Sequence, residues 1–330
     1  MSERIVRTVV LDSVEPHPNA DRLDVAKFGG FVCVVARDTF RAGDAATYIP
    51  VDMLVPADRP EFAFLAVQAR KSDGRCRIKA RDFRGVYSEG LLLPARTDEE
   101  ITALGVEPYV APWEMDSQGL DAKSPSPEPP VYDLESWRTW GHLFKVGEPV
   151  AVTEKLNGSS GRFFRDLDGH LHLGSHTRWK LRPEDGGNSE WAHAVSFHWW
   201  NLARIPSGTC VYWECIGRVG GFGYGIQKGT ADLRVFDVRT VATGGAGEWQ
   251  NWPDARRTLV AWEIPVVPTL YEGPYDPGLV QALAEGQTTM GGGHVREGIV
   301  IRPTVERWEP ELHGRLVLKL HGKGFRLGKG

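Results

Sequence analysis

Apolar and polar positions divide the chain into two differently patterned regions. Over the first hundred or so residues the apolar runs are short and β-branched: Arg4 to Leu11 (RIVRTVVL), Gly30 to Val35 (GFVCVV), Ala45 to Ile49 and, further on, Cys76 to Leu93. Turn-forming groups such as His17-Pro18-Asn19 and Ala42-Gly43-Asp44 separate them. Short strands with this punctuation predict a small β-barrel. Beyond residue 131 the pattern predicts strands at 150–155, 161–166, 170–174, 209–216, 233–238, 296–302 and 314–320, and helices at 133–142, 188–203 and 276–285. The strands outnumber the helices and seldom alternate with them one for one, which favours an antiparallel α+β arrangement over a doubly wound sheet. Between the regions lies Ser124-Pro125-Ser126-Pro127-Glu128-Pro129-Pro130, which can sustain neither a helix nor a central strand. The predicted organisation is a barrel domain over 1–115, an acidic Pro/Ser linker over 116–131 and a larger α+β domain over 132–330.

A length of 330 residues fits two domains, and 41% hydrophobic with 25% charged residues is enough to build real cores. The net charge of −4 excludes a uniformly basic, histone-like binder of nucleic acid. That charge is unevenly spread. From Arg96 to Ser136 ten acids face only Arg96 and Lys123, so this segment carries −8 and the remainder +4. The positive charge concentrates in Arg70 to Arg84, with seven bases against Asp73 and Asp82, and in His313 to Gly330, where Arg315, Lys319, Lys323, Arg326 and Lys329 meet no acid. Arg77, Lys79 and Arg81 stand at strand spacing with Arg84 close behind, either as a solvated outer face or as a phosphate-tracking stripe. The four cysteines (Cys33, Cys76, Cys210 and Cys215) have neither zinc-ligand spacing nor the density of a disulfide framework. Met1-Ser2-Glu3-Arg4 opens on polar residues without a signal peptide, and no apolar run is long enough to span a membrane. The expectation is a soluble protein of the reducing cytoplasm.

Five segments of the second region place a charge in or beside an apolar strand, where an unpaired charge is costly. In Val152 to Gly158 (VTEKLNG), Lys155 ends a strand before a turn closed by glycine. A nucleophilic lysine needs a depressed pKa, which burial or neighbouring cations can provide. Glu214 lies within Val211 to Gly217, and Phe236 lies within Leu233 to Val238. In Arg296 to Pro303, Glu297 precedes Gly298 and a buried strand, a setting in which a carboxylate can hold hydrated Mg²⁺. In Arg315 to Gly322, alternation sends Leu316, Leu318 and Leu320 one way and Val317, Lys319 and His321 the other, which makes Lys319 a plausible phosphate ligand.

In this order the five segments resemble motifs I, III, IIIa, IV and V of the covalent nucleotidyltransferases, the polynucleotide ligases and RNA capping enzymes. Gly174 to Trp179 falls where their motif Ia would be, which implies a ribose or phosphate contact for Arg178. Ser13 to Val25 (SVEPHPNADRLDV), with Arg77-Ile78-Lys79 and Phe83 to Leu91, resembles the OB-fold RNA-binding module attached to some tRNA synthetases. An N-terminal OB domain before the transferase domain is the layout of one branch of the ATP-dependent RNA ligases. DNA ligases and capping enzymes carry theirs after motif V, and this sequence ends soon after that motif.

The resemblance implies an OB-like barrel followed by an antiparallel-sheet adenylyltransferase domain. It also implies ATP and Mg²⁺ or Mn²⁺ as cofactors, a lysyl-AMP intermediate on Lys155, and RNA with 3′-hydroxyl and 5′-phosphate ends as partner, a nicked duplex being one such substrate. Glu154, Asn157, Gly158, Arg178, Glu214, Phe236, Lys319 and His321 are the implied nucleotide contacts. Glu214 would hold the ribose hydroxyls and Phe236 would stack on adenine. Glu297, Glu214 and Asn157 are the implied metal ligands, and Arg77, Lys79, Arg81 and Arg84 the RNA contacts. Asn157 stands where many relatives carry Asp, and His321 where many carry a second cation. The alternatives are a GTP-using capping enzyme, a DNA ligase, or a non-catalytic RNA-binding protein.

Overall fold

The computed structural model of the chain describes residues 5–65, 74–109, 121–217, 222–243 and 247–326. Arg4, Arg70, Lys71, Lys329 and the 116–120 part of the expected linker lie outside the described residues, as does the Arg326 side chain. The chain forms two compact units, Met1–Met115 and Asp116–Gly330.

The first unit is built from short antiparallel strands: β1 (Arg7–Val10), β2 (Ser13–Pro16), β3 (Leu23–Phe28), β4 (Phe31–Ala36), β5 (Ala45–Pro50), β6 (Met53–Pro56), β7 (Arg75–Arg77), β8 (Arg81–Phe83), β9 (Val86–Ser88), β10 (Gly90–Pro94) and β11 (Glu107–Pro108). They assemble as β1-β5-β10, β2-β3-β4, β11-β6-β7 and the hairpin β8-β9. The β-branched runs fill two cores, one around Leu11, Phe28, Cys33 and Tyr48 and the other around Ile49, Val55, Phe62 and Ile78. Helix Asp98–Ala103 is fixed by a reciprocal capping box between Thr97 and Glu100.

The basic run does not form one continuous stripe. Arg77 ends β7 and Arg81 opens β8, so the alternation is interrupted between them. Arg77 donates to Asp52 at 2.7 Å and lies 4.0 Å from the Tyr109 ring, which gives it an internal partner. Lys79 and Arg81 border an apolar cavity of about 550 Å³ with Phe64 and Phe83. Arg84 occupies the left-handed turn of the hairpin (φ 49°) and exchanges bonds with Asn19, while His17 Nε2 lies 2.8 Å from the Phe83 carbonyl. The HPN and FRG segments, 66 residues apart, are thus one local structure.

The second unit holds two five-stranded sheets. One runs β12 (Glu135–Ser136), β23 (Leu318–His321), β20 (Gly298–Pro303), β13 (Pro149–Lys155), β19 (Thr269–Pro274). The other runs β16 (Trp179–Lys180), β15 (Leu171–Ser175), β14 (Ser159–Arg165), β17 (Thr209–Ile216), β18 (Asp232–Thr240). All neighbours in these sheets are antiparallel except β12 and β23. A short hairpin of β21 (Trp308–Glu309) and β22 (Gly314–Arg315) stands beside them. The main core joins Phe163, Trp213 and Val235 of the second sheet to Ala151, to helix Glu190–Ser196 and to helix Trp252–Ala261.

The expected helices are shorter than their patterns. The 133–142 stretch opens instead as β12, because Glu135 and Ser136 pair with Leu318 and Lys319, and only Trp137–Trp140 is α-helical. The 188–203 stretch breaks after Ser196 into Glu190–Ser196 and Trp199–Leu202, with His198 at the break bonded to Asp232 at 2.6 Å. The 314–320 run splits too: β22 pairs with β21, and only β23 joins β20.

The described part of the Pro/Ser segment is fastened along the second unit. Asp121 bridges to Lys180, Glu128 takes the Trp179 indole N–H at 2.7 Å, and the Pro129 and Pro130 carbonyls accept from Arg162 and Tyr212. Prolines keep their carbonyl acceptors, and here these satisfy a buried guanidinium and a buried phenol. Among the described residues no helix is long and apolar enough to cross a membrane.

Candidate active site

Register across β13, β20 and β23 assembles the centre of the site. Lys155 stands opposite Gly298, and Gly298 opposite His321; the next row is Thr153, Val300 and Lys319. Side chains alternate along strands, so Lys155, Thr153, Lys319 and His321 share one face. Val152, Ile299, Ile301, Leu318 and Leu320 fill the core on the other face. Gly298 is required here, because a Cβ would collide with the Leu320 carbonyl where β20 and β23 pair.

The second sheet supplies the facing residues. Glu214 sits on β17 opposite Ser160 of β14. Phe236 is the extra residue of a β-bulge: Tyr212 pairs with Asp237 and Trp213 with Val235, leaving Phe236 unpaired between them. Bulges re-aim side chains, and Phe236 is aimed into a cavity of about 180 Å³. Lys155, Glu214, Phe236 and Lys319 border this cavity, along with Tyr132, Ser160 and Arg302. The Tyr132 and Phe236 rings meet at 4.9 Å.

At the Lys155 end, Nζ donates to Glu297 Oε1 at 2.8 Å, and His321 Nε2 lies 3.3 Å from the same oxygen. Burial alone would lower the Lys155 pKa, but the Glu297 and Glu214 carboxylates outweigh it and hold the ammonium above its ordinary value. This reverses the sequence-based expectation of a depressed pKa, because the near neighbours are anions. Burial would raise Glu297; Lys155 and His321 bring it below the usual carboxylate range. Glu214 is pushed up to about 8 by burial, partly opposed by Lys155. His321 is lowered, first by burial and then by the nearby lysines.

Asn157 and Gly158 follow Lys155, and the Gly158 backbone N–H favours the charged form of Glu214. Asn157 Oδ1 and Glu297 Oε2 are buried without a partner. Unsatisfied hard oxygens of this kind, with the Glu214 carboxylate, are the donor chemistry that fits Mg²⁺ or Mn²⁺.

Two expected contacts have other partners. Glu154 borders the cavity, but its Oε1 is taken by the Thr288 hydroxyl and its Oε2 by the Thr289 amide and hydroxyl. Arg178, at the turn between β15 and β16, does not border the cavity and pairs with Asp121 at 3.2 Å.

Sequence reasoning missed Tyr132 and Arg302. Arg302 is fully buried, donates to Asp237 at 2.9 Å and has Nε and Nη2 unpartnered at the cavity. Its signal was a cation inside the apolar run GIVIRP. Tyr132, whose hydroxyl donates to Asp237 at 2.7 Å, carried none.

Comparison with known proteins places this geometry. A family model described as RNA ligase matches residues 148–321. An OB-fold domain model matches residues 5–95. No curated protein matches the sequence significantly. Among solved structures, an apo point mutant of Naegleria gruberi RNA ligase is similar with a TM-score of 0.76 at 20% identity, over 98% of this chain and 97% of that one. A second mutant, with ATP and Mn, is similar at 0.76 and 20%, over 99% and 98%. A third, with AMP and Mn, is similar at 0.76 and 21%, over 99% of each chain. The family model covers more than half of the sequence and spans every strand that frames the cavity; the chain belongs to the RNA ligase family.

Proposed function

We propose that this chain is an ATP-dependent RNA ligase that joins a 3′-hydroxyl to a 5′-phosphate through an AMP carried on Lys155. The observation that carries the reading is the Lys155 amine, 2.8 Å from Glu297, at the end of a cavity walled by Glu214, Phe236 and Lys319. Solved structures of the Naegleria enzyme with ATP and Mn, or AMP and Mn, support the choice of nucleotide and metal.

In the first step the deprotonated Lys155 nitrogen attacks the α-phosphorus of ATP. A nitrogen–phosphorus bond forms, the bond to the β-phosphate oxygen breaks, and pyrophosphate leaves. The AMP then passes to the RNA 5′-phosphate and frees Lys155. Attack by the 3′-hydroxyl forms the phosphodiester and expels AMP. Each step is a displacement at phosphorus, so positioning and charge neutralisation dominate.

Phe236 stacks on the base, Glu214 holds the ribose hydroxyls, and Lys319 faces the α-phosphate. Asn157, Gly158 and His321, next to Lys155 in sequence or in register, complete the nucleotide contacts, and Arg178, paired with Asp121 outside the cavity, would have to exchange that partner to join them. Glu297, Glu214 and Asn157 would hold the divalent cation. When bound, that cation supplies positive charge opposing the protonated state of Lys155 and offsetting the phosphates. Lys79 and Arg81, cations beside an apolar cavity, and Arg84 of the adjoining hairpin turn are assigned to RNA. The four buried free cysteines suit the reducing cytoplasm, where we place the protein.

The test is incubation with ATP labelled at the α-phosphate and Mg²⁺. Wild type should form a covalent adduct and release pyrophosphate, and Lys155→Ala should form none. An adduct on Lys155→Ala would overturn the assignment.

A further inference from the structure

The residues on either side of Lys155 are both held by a part of the fold that the nucleotide cavity does not include. On one side, the backbone N–H of Asn157 donates to the Tyr224 hydroxyl at 2.6 Å, and Tyr224 is buried. On the other, the buried Glu154 carboxylate receives three bonds from two consecutive residues: Thr288 Oγ1 at 2.5 Å, Thr289 N at 2.9 Å and Thr289 Oγ1 at 2.6 Å.

These two anchors form one structure. Phe222 stacks on His294 at 4.2 Å with the rings 19° apart, and Tyr224 meets the same imidazole edge-on at 4.9 Å. The Thr288 N–H bonds the His294 carbonyl at 3.0 Å, closing the loop that carries both threonines. Gly225 and Gly291 approach backbone to backbone, so a Cβ on Gly291 would lie 2.9 Å from the Gly225 Cα. No side chain fits between the segments. A displacement of one is therefore transmitted to the other, and both end on the flanks of Lys155.

We infer that Tyr224 and the Thr288–Thr289 turn are positioning residues for adenylylation: they clamp Asn157 and Glu154, and so hold the Lys155 amine on the line of attack at the α-phosphorus. Neither touches the reacting atoms. The clamp explains why Glu154, beside the nucleophile, spends its whole carboxylate on a remote loop. In-line displacement is sensitive to small errors of position. The inference rests on Lys155 being the nucleophile.

The test measures single-turnover adduct formation against ATP concentration for the full chain. Thr288→Val with Thr289→Val keeps the shape of both side chains and removes two donors. Tyr224→Phe removes one acceptor, and Gly291→Ala wedges the segments apart without altering any bonded group. All three should lower the rate at saturating ATP by about tenfold or more, with less than about a twofold change in the half-saturating ATP concentration. Thr288→Ser with Thr289→Ser restores the hydroxyls and should restore the rate. Wild-type rates in the valine pair and in Tyr224→Phe would overturn the clamp. So would an equal loss in the serine and valine pairs, or a loss that appears in ATP affinity alone. Should the valine pair not fold, Tyr224→Phe carries the same readouts. An adduct on Lys155→Ala fails the underlying reading; no such adduct, with wild-type clamp variants, fails this inference alone.

Discussion

Phe236 shows how much of the site depends on one local irregularity. In a regular strand it would point to one sheet face by alternation; the bulge opposite Tyr212 and Trp213 turns it into the cavity. Base–aromatic stacking is worth about 1–3 kcal/mol. Phe236→Ala should therefore raise the half-saturating ATP concentration by roughly tenfold or more, with Phe236→Tyr close to wild type. ATP titration of adduct formation reads this directly, and an unchanged value for Phe236→Ala would remove the base from this wall. The sequence offered Phe236 as a candidate through its place in a motif order. It could not show the bulge, because a bulge is a property of two strands' pairing and only one of them is local. Lys155 and Glu297 were legible for a stronger reason: a charge in a buried strand must have a partner, and each is the other's partner. The sign of the Lys155 shift was not legible, since it depends on which charges stand nearest, and those arrive from β17 and β20.

At the scale of elements, strands were easier to read than helices. The β17 run at 209–216 matches its pattern end to end, because both of its faces are largely buried. Helix 188–203 failed at Phe197-His198, where the imidazole turns to Asp232 rather than continuing the spiral. β19 was missed because Gly273 and Pro274 disguise it; as an edge strand it tolerates both. The Asp232 contact carries a pH signature. Burial alone would raise its pKa, but the bonds from His198 and Arg234 bring it from 3.8 to about 2. A lowered folded-state pKa means the stabilisation is present above 3.8 and lost as pH falls through about 2. Asp232→Asn should lower the melting temperature at pH 7 and by progressively less as pH approaches 2, followed by thermal circular dichroism. An equal drop at both ends would assign the effect to packing instead.

For the whole molecule, the net charge of −4 conceals the division of labour. Two acids of the acidic segment have partners in the second unit: Asp121 and Glu128 lie against Lys180, Arg178 and Trp179. The cations Lys79, Arg81 and Arg84 belong to the first unit, whereas the lysine and carboxylates of the candidate centre belong to the second. The two activities should be separable by substitution. Replacing Lys79, Arg81 and Arg84 with alanine should leave adduct formation from ATP unchanged. It should also weaken binding of nicked RNA and flatten its dependence on salt, by about one unit of log–log slope for each phosphate no longer neutralised. Filter binding over a salt series measures this, and an unchanged slope would place the RNA contacts elsewhere. The Pro/Ser run reads as a linker in the sequence, because a proline-rich stretch carries no periodicity to show which surface its carbonyls will serve, whereas residues 121–131 are fastened within the second unit.

One oxygen has a reach out of proportion to its size. Asp237 Oδ2 accepts from Tyr132, Arg302 and Arg315, residues drawn from three separate stretches of the chain. Tyr132 and Arg302 border the cavity, and Phe236 is the immediate neighbour of Asp237. Anyone seeking to retune the pocket for a different base meets a block rather than a set of independent positions. Exchanging Asp237 alone strands the Arg302 guanidinium and leaves Arg315 with Glu306 only, and exchanging either arginine alone leaves a buried carboxylate short of charge. Directed evolution of this pocket will therefore advance by coordinated replacement of the whole cluster, and libraries that vary one position at a time will return mostly inactive chains.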